Sequence, residues 1–456
     1  MDISSLDIFI CVALTAFSII YTIILTRKAE TNLIGYLLFS RKLTLPLFVT
    51  TLVSTWYGDI FGVTQIAFKN GIYGIFVFGI PFYISSIVFM LFFVEKARKT
   101  LAVSIPDIFA KLYGVKAAKL SAIMIIIESL PVTYAIGIGV LLKNLTGWSL
   151  SYSVIIGVAI VVIYIGVRGF SGIIYSDAIQ FVLMFSSAIA VLIVSVVKFG
   201  GFSFLAAKLE PSYFSFQGDH DISTVLIWFF LAFIATVMSP VFYQRCFAAN
   251  STKTAKNGIL IAVIFWMIFD VCTVLGGMYA KAVYSSADPS EAYFLYCISV
   301  LPQGLKGLFL AGIIATILSS LDSFLFINSS TILFDLLGNK YSKKNKAKII
   351  SLLISSTLTV VLALKFSDSI ETYLLIFSSY TAIPFAVPLL FSILFRKILS
   401  EKQILICVLS TIFVMAINDI YFNIFKSFYL GATYSIVIFS ILLMYNKYII
   451  CDARNR

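Results

Sequence analysis

The sequence predicts an all-α integral membrane protein with about 13 transmembrane helices. Of its 456 residues, 61% are hydrophobic and only 12% are charged, and the mean hydropathy is +1.04. A soluble domain could not cover so much apolar surface, and a segment of about 20 apolar residues is long enough to cross a bilayer as a helix. The predicted spans are residues 6–25, 43–68, 72–94, 120–142, 150–167, 173–197, 225–247, 259–283, 308–337, 349–364, 370–395, 404–422 and 429–449.

Basic residues are concentrated in alternate links between these spans. Most of the 33 lysines and arginines lie in links that share one side of the membrane, such as Arg41 and Lys42 after the first span. An excess of Lys and Arg marks cytoplasmic links. We therefore expect a multi-pass protein of the plasma (inner) membrane, with its N-terminus outside and its C-terminus in the cytoplasm. The net charge of +12 then gives no reason to expect nucleic-acid binding.

The links are too short for a further domain, so residues 1–456 are predicted to form a single transmembrane domain. No P-loop, zinc-ligand spacing or nucleophile–base pair is present in the sequence. An ATP-driven pump is therefore disfavoured, and we expect the protein not to be an enzyme. A non-transporting sensor is also disfavoured, because no signalling module follows the last span.

The second span has an unusual centre, residues 54–62, with two glycines, two hydroxyls and the carboxylate of Asp59. This composition predicts a local break of the helix. Broken backbone inside a membrane is tolerated where it lines a cavity or is buried in protein, and the freed carbonyls can then bind a cation. The alternative interpretation is a kinked packing helix.

The seventh span is also predicted to break, at Ser239 and Pro240, because proline interrupts the hydrogen-bond ladder of a helix. The two breaks lie five spans apart. Corresponding interruptions in two halves indicate an inverted-repeat transporter. We therefore predict an extra N-terminal helix (6–25), two five-helix inverted repeats (43–197 and 225–395) and two C-terminal helices (404–449).

The ninth span carries a polar stripe. Thr316, Ser319, Ser320 and Ser323 recur at helical spacing and share one face, with Asp322 on its flank. Oxygen ligands on one face suit a small hard cation, although hydroxyls also join helices in membranes. The carboxylate favours the cation interpretation, because an unpaired acid at this depth costs about 2.5 kcal/mol or more.

Other acids are predicted within spans, namely Glu128, Asp177 and Asp270. No Lys or Arg is predicted at the centre of the membrane, and Arg245 is placed at its cytoplasmic edge. These acids are therefore expected to meet a metal ion, a proton or a positively charged group of a solute.

At these residues the chain resembles the sodium:solute symporter family, which shares the inverted-repeat fold of the bacterial leucine transporter. Residues 168–180, 243–251 and 311–323 are similar to three motifs of the family, and Asp335 is similar to the acid that ends its ninth helix.

The resemblance implies sodium as the coupling ion and a sodium site between the second and ninth spans. The implied ligands are the carbonyls of Leu52, Thr55 and Thr316 and the hydroxyls of Ser319 and Ser320. Members with a second sodium imply a further site. Its ligands would map to Asp177, Ser319, Asp322 and Ser323, and Asp322 stands where those members have serine.

The second and ninth spans are most similar to the choline-transporter branch, which implies that Trp56 faces a cationic group by cation–π attraction. Glu128 belongs to the same likeness. The other aromatic residues that surround the cationic group in that branch are not seen here, and Ser239 lies near one of their positions. Asp59 favours an amine-bearing or zwitterionic solute, or else it bonds backbone groups freed by the break. The candidate substrate residues are thus Trp56, Asp59, Glu128 and Ser239.

The expected function is sodium-coupled symport of a small organic solute by alternating access. The alternatives are a proton-coupled transporter of the same fold and the sensor. We expect a lipid bilayer around the protein and no obligatory protein partner.

Overall fold

Helices form nearly all of the computed structural model, which describes residues 3–26, 32–165, 169–215, 222–338, 344–367, 370–395, 399–422 and 427–454. Each predicted span corresponds to a helix or to two helical pieces. They are α1 (Ser5–Leu25), α2a (Leu45–Trp56), α2b (Ile60–Asn70), α3 (Ile75–Phe92), α4a (Val115–Glu128), α4b (Val132–Thr146), α5 (Leu150–Ile165), α6 (Phe170–Phe199), α7a (Ile222–Met238), α7b (Pro240–Ala248), α8 (Thr252–Val283), α9 (Leu305–Ser330), α10 (Asn345–Lys365), α11 (Ile370–Phe395), α12 (Glu401–Ile417) and α13 (Ser427–Arg454). Short helices at Leu33–Leu38, Val94–Lys99, Ile105–Leu112, Phe202–Lys208 and Ala292–Val300 connect them.

The all-α membrane fold is confirmed, but the number of 13 spans is not. Within the described residues, nine helices are long and apolar enough to cross a membrane, or up to ten if α7a and α7b form one span. The count is lower because α2a and α2b have only 12 and 11 residues, α5 has only 16, and the apolar part of α11, Ser379–Phe395, is also too short. A helix of 16 residues rises about 24 Å, which is shorter than the hydrocarbon core of a bilayer.

Serine side chains define the start of several helices. Ser4 and Ser400 each form a capping box, with Asp7 and Gln403 as the reciprocal partners, and Ser251 caps α8. Such caps satisfy N–H groups that have no partner within the helix. They therefore fix where α1, α8 and α12 begin.

The centre of the molecule is α9. In its most apolar stretch 89% of residues are buried, whereas the figure for α1 is 17%, so α1 lies at the periphery. Helix α9 packs tightly on α6 at Gly312, because a Cβ atom at this position would clash with the side chain of Ser187. The N-terminal end of α9 holds α1. The buried Asp7 carboxylate of α1 accepts the N–H groups of Gly304 (2.7 Å) and Gly307 (3.3 Å).

The two interrupted spans are tied together by their main chains. Leu43 N donates to Ala248 O at 3.0 Å, and Asn250 N donates to Leu43 O at 3.0 Å. This parallel bridge joins the chain entering α2a to the chain leaving α7b. Arg98 reinforces it, because its guanidinium donates to the carbonyls of Cys246 and Ala249.

Candidate functional site

The predicted break of the second span is present. Tyr57, Gly58 and Asp59 separate α2a from α2b, and the Asp59 side chain caps α2b by accepting the N–H of Gly62 at 3.2 Å. The break brings the chain against α9, where a Cβ atom on Gly58 would lie 2.5 Å from Ser320 Oγ. Only glycine permits this approach, so the sequence of the break itself positions the polar stripe of α9.

Hydroxyls of α9 meet the carbonyls released at the end of α2a. Ser319 Oγ lies 2.8 Å from Ser54 O and 3.0 Å from Thr316 O, and Ser320 Oγ donates to Thr55 O at 2.8 Å. The structure thus brings together four of the five residues predicted as ligands of the first ion. Ser54, which the sequence reasoning did not include, supplies a further carbonyl.

These oxygens are withdrawn from solvent. Ser54, Ser319 and Ser320 have no exposed surface, and Thr55 and Thr316 are 1% exposed. Leu52, the fifth predicted ligand, is buried on α2a two residues before Ser54. Carbonyl and hydroxyl oxygens in such a junction can replace the hydration shell of a small hard cation.

A guanidinium group lies one turn further along α2a and α9. Arg245 Nη2 contacts the hydroxyls of Thr51 (3.1 Å), Thr55 (2.9 Å) and Ser323 (2.8 Å), and it lies 3.6 Å from Asp177 Oδ2. Thr51 also donates a hydrogen bond to the Asp177 carboxylate. Two of the four residues predicted for a second ion, Asp177 and Ser323, therefore contact a side chain of the protein.

Arg245, which the sequence placed at the cytoplasmic edge of the membrane, has no exposed surface and is buried inside the protein. The chain bends by 44° between α7a and α7b at Pro240, and α7b then contacts α2a and α9. This bend directs the guanidinium inward.

Asp322 has different partners. Its Oδ2 accepts the hydroxyl of Tyr164 from α5 at 2.8 Å and lies 3.4 Å from Ser176 Oγ of α6. Thr51, Tyr164 and Ser176 were missed from the sequence. Thr51 could have been found, since it precedes Thr55 by four residues and so shares its face.

The candidate substrate residues fall in two places. Trp56 is half-buried at the break of α2, with ring centroids 5.1 Å from Phe82 and 5.5 Å from both Phe242 and Trp266. Asp59 is exposed at the same break. The partly buried Ser239 immediately precedes α7b, which carries Phe242, so the break of α7 lies near Trp56.

Glu128 lies elsewhere, at a break between α4a and α4b that was not predicted. Thr381 Oγ1 of α11 donates to its carboxylate at 2.5 Å. Asp270 of α8 likewise accepts the hydroxyl of Tyr83. Hydroxyl groups of the protein therefore donate to both carboxylates. The sequence had predicted a metal ion, a proton or a positively charged group of a solute as their partner. Arg168, which opens the first of the family-like motifs, lies outside the described residues.

The family model described as "SSF: Sodium:solute symporter family" matches residues 36–410. The chain belongs to the sodium:solute symporter family. One relative is the sodium/pantothenate symporter of Haemophilus influenzae, 27% identical over 279 residues, which is 58% of this chain and 57% of that protein. Another is sodium/glucose cotransporter 4 of Danio rerio, 27% identical over 41% of this chain and 35% of that protein. The mouse (Mus musculus) sodium/myo-inositol cotransporter is 23% identical over 53% and 41%.

Solved structures show the fold. A Na+-coupled sialic acid symporter, in a substrate-bound outward-open state with a novel Na+ site, superposes with a TM-score of 0.81 at 15% identity, covering 98% of both chains. MhsT in complex with L-phenylalanine superposes with a TM-score of 0.55 at 15% identity, covering 87% of this chain and 97% of MhsT. The chain therefore has the fold of the bacterial leucine transporter.

The chain spans about a third to three fifths of the length of these curated relatives. The family and these relatives are transporters. The protein is thus a multi-pass membrane protein of a transporter family and not an enzyme.

Proposed function

We propose that this protein is a sodium-coupled symporter that accumulates a small organic solute across the plasma membrane by alternating access. Its N-terminus would lie outside and its C-terminus in the cytoplasm. Family membership supports this proposal, as do relatives named for sodium-coupled transport of pantothenate, glucose and myo-inositol.

One observation carries the proposal, namely the contact between the hydroxyls of α9 and the freed carbonyls of α2a. The hydroxyls of Ser319 and Ser320 contact the carbonyls of Ser54 and Thr55, which lie 265 residues earlier in the sequence. A sodium ion in this junction would draw on these oxygens, together with the carbonyls of Leu52 and Thr316. The second ion site, with Asp177, Ser319, Asp322 and Ser323 as its implied ligands, stays a prediction from the resemblance.

Coupling would follow from the position of this junction. It joins the interrupted span α2 to the buried helix α9, so an ion bound there stabilises one arrangement of the two. A ligand shifts a conformational equilibrium by its difference in affinity for the two states. Sodium that favours the arrangement with an assembled solute site raises the affinity for the solute, and the solute raises the affinity for sodium by the same factor.

We propose that the solute contacts the break of α2 and is amine-bearing or zwitterionic. The exposed Asp59 carboxylate and the half-buried Trp56 ring lie within three residues of each other there. Ser239 would add a polar contact from the break of α7. Glu128, which accepts a hydrogen bond from Thr381, would contact the solute from α4. Asp59 also caps α2b, so the preference for an amine requires its own test.

The first experiment is equilibrium binding of radioactive sodium to purified protein in detergent without solute. The test variant combines Ser319→Ala with Ser320→Ala. The matched control combines Ser329→Ala with Ser330→Ala, because these buried serines of α9 donate only along their own helix, to Phe326 O and Ile327 O.

We expect saturable binding in the wild type and the control, with a loss of affinity in the test variant. Equal affinity in all three folded proteins would contradict the assignment to α9. Absence of saturable binding together with uptake driven by a pH gradient in sodium-free buffer would favour the proton-coupled alternative. Solute binding without accumulation in vesicles would favour the sensor.

A further inference from the structure

We propose that Arg245 is a resident cation that occupies the position of a second sodium ion, so that the protein binds and couples one sodium only. This inference rests on the proposed function, and it specifies the stoichiometry of transport. It also assigns a role in setting the number of bound ions to a residue that the sequence placed outside the site.

The coordination of a single nitrogen atom carries the inference. Arg245 Nη2 has four oxygens within 3.6 Å, namely the hydroxyls of Thr51, Thr55 and Ser323 and one carboxylate oxygen of Asp177. These oxygens come from α2a, α6 and α9. A metal cation would require the same convergence of neutral and anionic oxygens, so the nitrogen stands in the place of an ion.

The hydroxyls have little capacity left for another cation. Thr51 donates its proton to Asp177 and directs an acceptor lone pair to Arg245. The oxygens of Thr55 and Ser323 lie 3.1 Å apart, and both lie within 2.9 Å of Nη2. A sodium ion at these atoms would displace the guanidinium or face its positive charge at contact distance.

The guanidinium is held from several sides. Nη1 donates to Gln244 Oε1 at 2.9 Å, and the Phe170 ring at the start of α6 lies 5.0 Å from Cζ. An arginine in a protein keeps its proton at any relevant pH. This cation is therefore permanent and does not leave during a transport cycle, unlike a bound sodium ion.

The chain offers a direct test by counting sodium ions per protein at saturation. One ion per wild-type protein supports the inference. Two ions would overturn it while leaving the proposed symport intact, whereas no bound sodium would overturn the proposed function. The two failures are thus distinguishable in one titration.

Variants of the ion pair test whether the arginine is the reason for the count. Arg245→Gln leaves Asp177 without its cation, and we expect the count to rise from one to two. In the double variant Arg245→Gln with Asp177→Asn the negative charge is also lost, and the count should return to one. Arg245→Lys keeps the charge and should stay at one.

Lys348→Gln serves as the matched control. Lys348 is 9% exposed and lies 4.1 Å from the Tyr36 ring, away from these oxygens, so its loss should leave the count at one. A folded Arg245→Gln variant that still binds one sodium would overturn the replacement of an ion by Arg245. If that variant does not fold, the wild-type count still tests the inference, because two sodium ions per wild-type protein would overturn it.

Discussion

Replacing Gly58 by alanine tests the packing of the α2 break against α9. The added Cβ would lie 2.5 Å from Ser320 Oγ and 2.6 Å from Tyr134 Cδ1. Real Cβ atoms essentially never come so close to another heavy atom, and a serine side chain is too short to move away without its helix. The substitution must therefore separate α9 from α2a or shift α4b.

The size of the effect follows from the cost of overpacking a close-packed interior, about 1–3 kcal/mol. If that cost falls on the sodium-bound arrangement, sodium affinity drops by about 5- to 150-fold. The assay is the sodium titration described above, together with thermal unfolding in detergent. Gly74→Ala is the control, because its nearest neighbour is an ordinary contact with Ile66 Cγ2 at 3.5 Å and its backbone is already helical. Unchanged sodium affinity and unchanged unfolding temperature in Gly58→Ala would refute this account of the junction.

Two further changes separate roles that the structure assigns to single carboxylates. Asp59→Asn keeps a cap for the N–H of Gly62 but removes the charge, so affinity for an amine-bearing solute should fall by up to about 5-fold, as expected for the loss of an exposed charge pair worth about 0.2–1 kcal/mol. Sodium affinity should not change in this variant. If solute affinity is also unchanged, Asp59 caps α2b and does not bind the solute. Asp7→Ala leaves the N–H groups of Gly304 and Gly307 without their acceptor, which should cost about 1–3 kcal/mol and lower the unfolding temperature. Asp7→Asn retains an acceptor and serves as the control. Equal unfolding temperatures for Asp7→Ala and Asp7→Asn would contradict the role of Asp7 in holding α1 against α9.

The interruptions of α2 and α7 were predictable because their causes are local. Gly58 and Asp59 in the second span, and Pro240 in the seventh, are of residue types that commonly end or cap helices. The hydroxyl stripe of α9 was predictable for a similar reason, since helical periodicity alone places Ser319 and Ser320 near Thr316. What periodicity does not provide is the carbonyl that each hydroxyl meets, and for this reason Ser54 was missed.

The position of Arg245 could not be obtained in this way. A basic residue after an apolar span normally marks the edge of the membrane. Here the direction of α7b after Pro240 decides whether the side chain points to water or to Asp177, and that direction depends on packing against α2a and α9. The partners of Asp322 and Glu128 were missed for the same reason, because Tyr164 and Thr381 are remote in sequence.

A single coupled sodium sets a limit on accumulation. With a membrane potential of 100 mV and a tenfold sodium gradient, one ion provides about 3.7 kcal/mol, which sustains roughly 500-fold accumulation of a neutral solute. Two ions would sustain roughly 10⁵-fold under the same conditions. The number of coupled sodium ions therefore sets the lowest external solute concentration from which the protein can accumulate its solute.

The bridge between Leu43 and the end of α7b has a consequence for how this protein is studied by mutagenesis. Both of its hydrogen bonds use main-chain atoms, from Leu43 N to Ala248 O and from Asn250 N to Leu43 O. Alanine scanning leaves every atom of these two bonds in place, so a scan of this region would miss the bridge. Proline at position 43 removes one donor, and proline at position 250 removes the other. A backbone-directed scan with proline is thus the mutagenesis that would show how far the linked ends of α2a and α7b must stay together during transport.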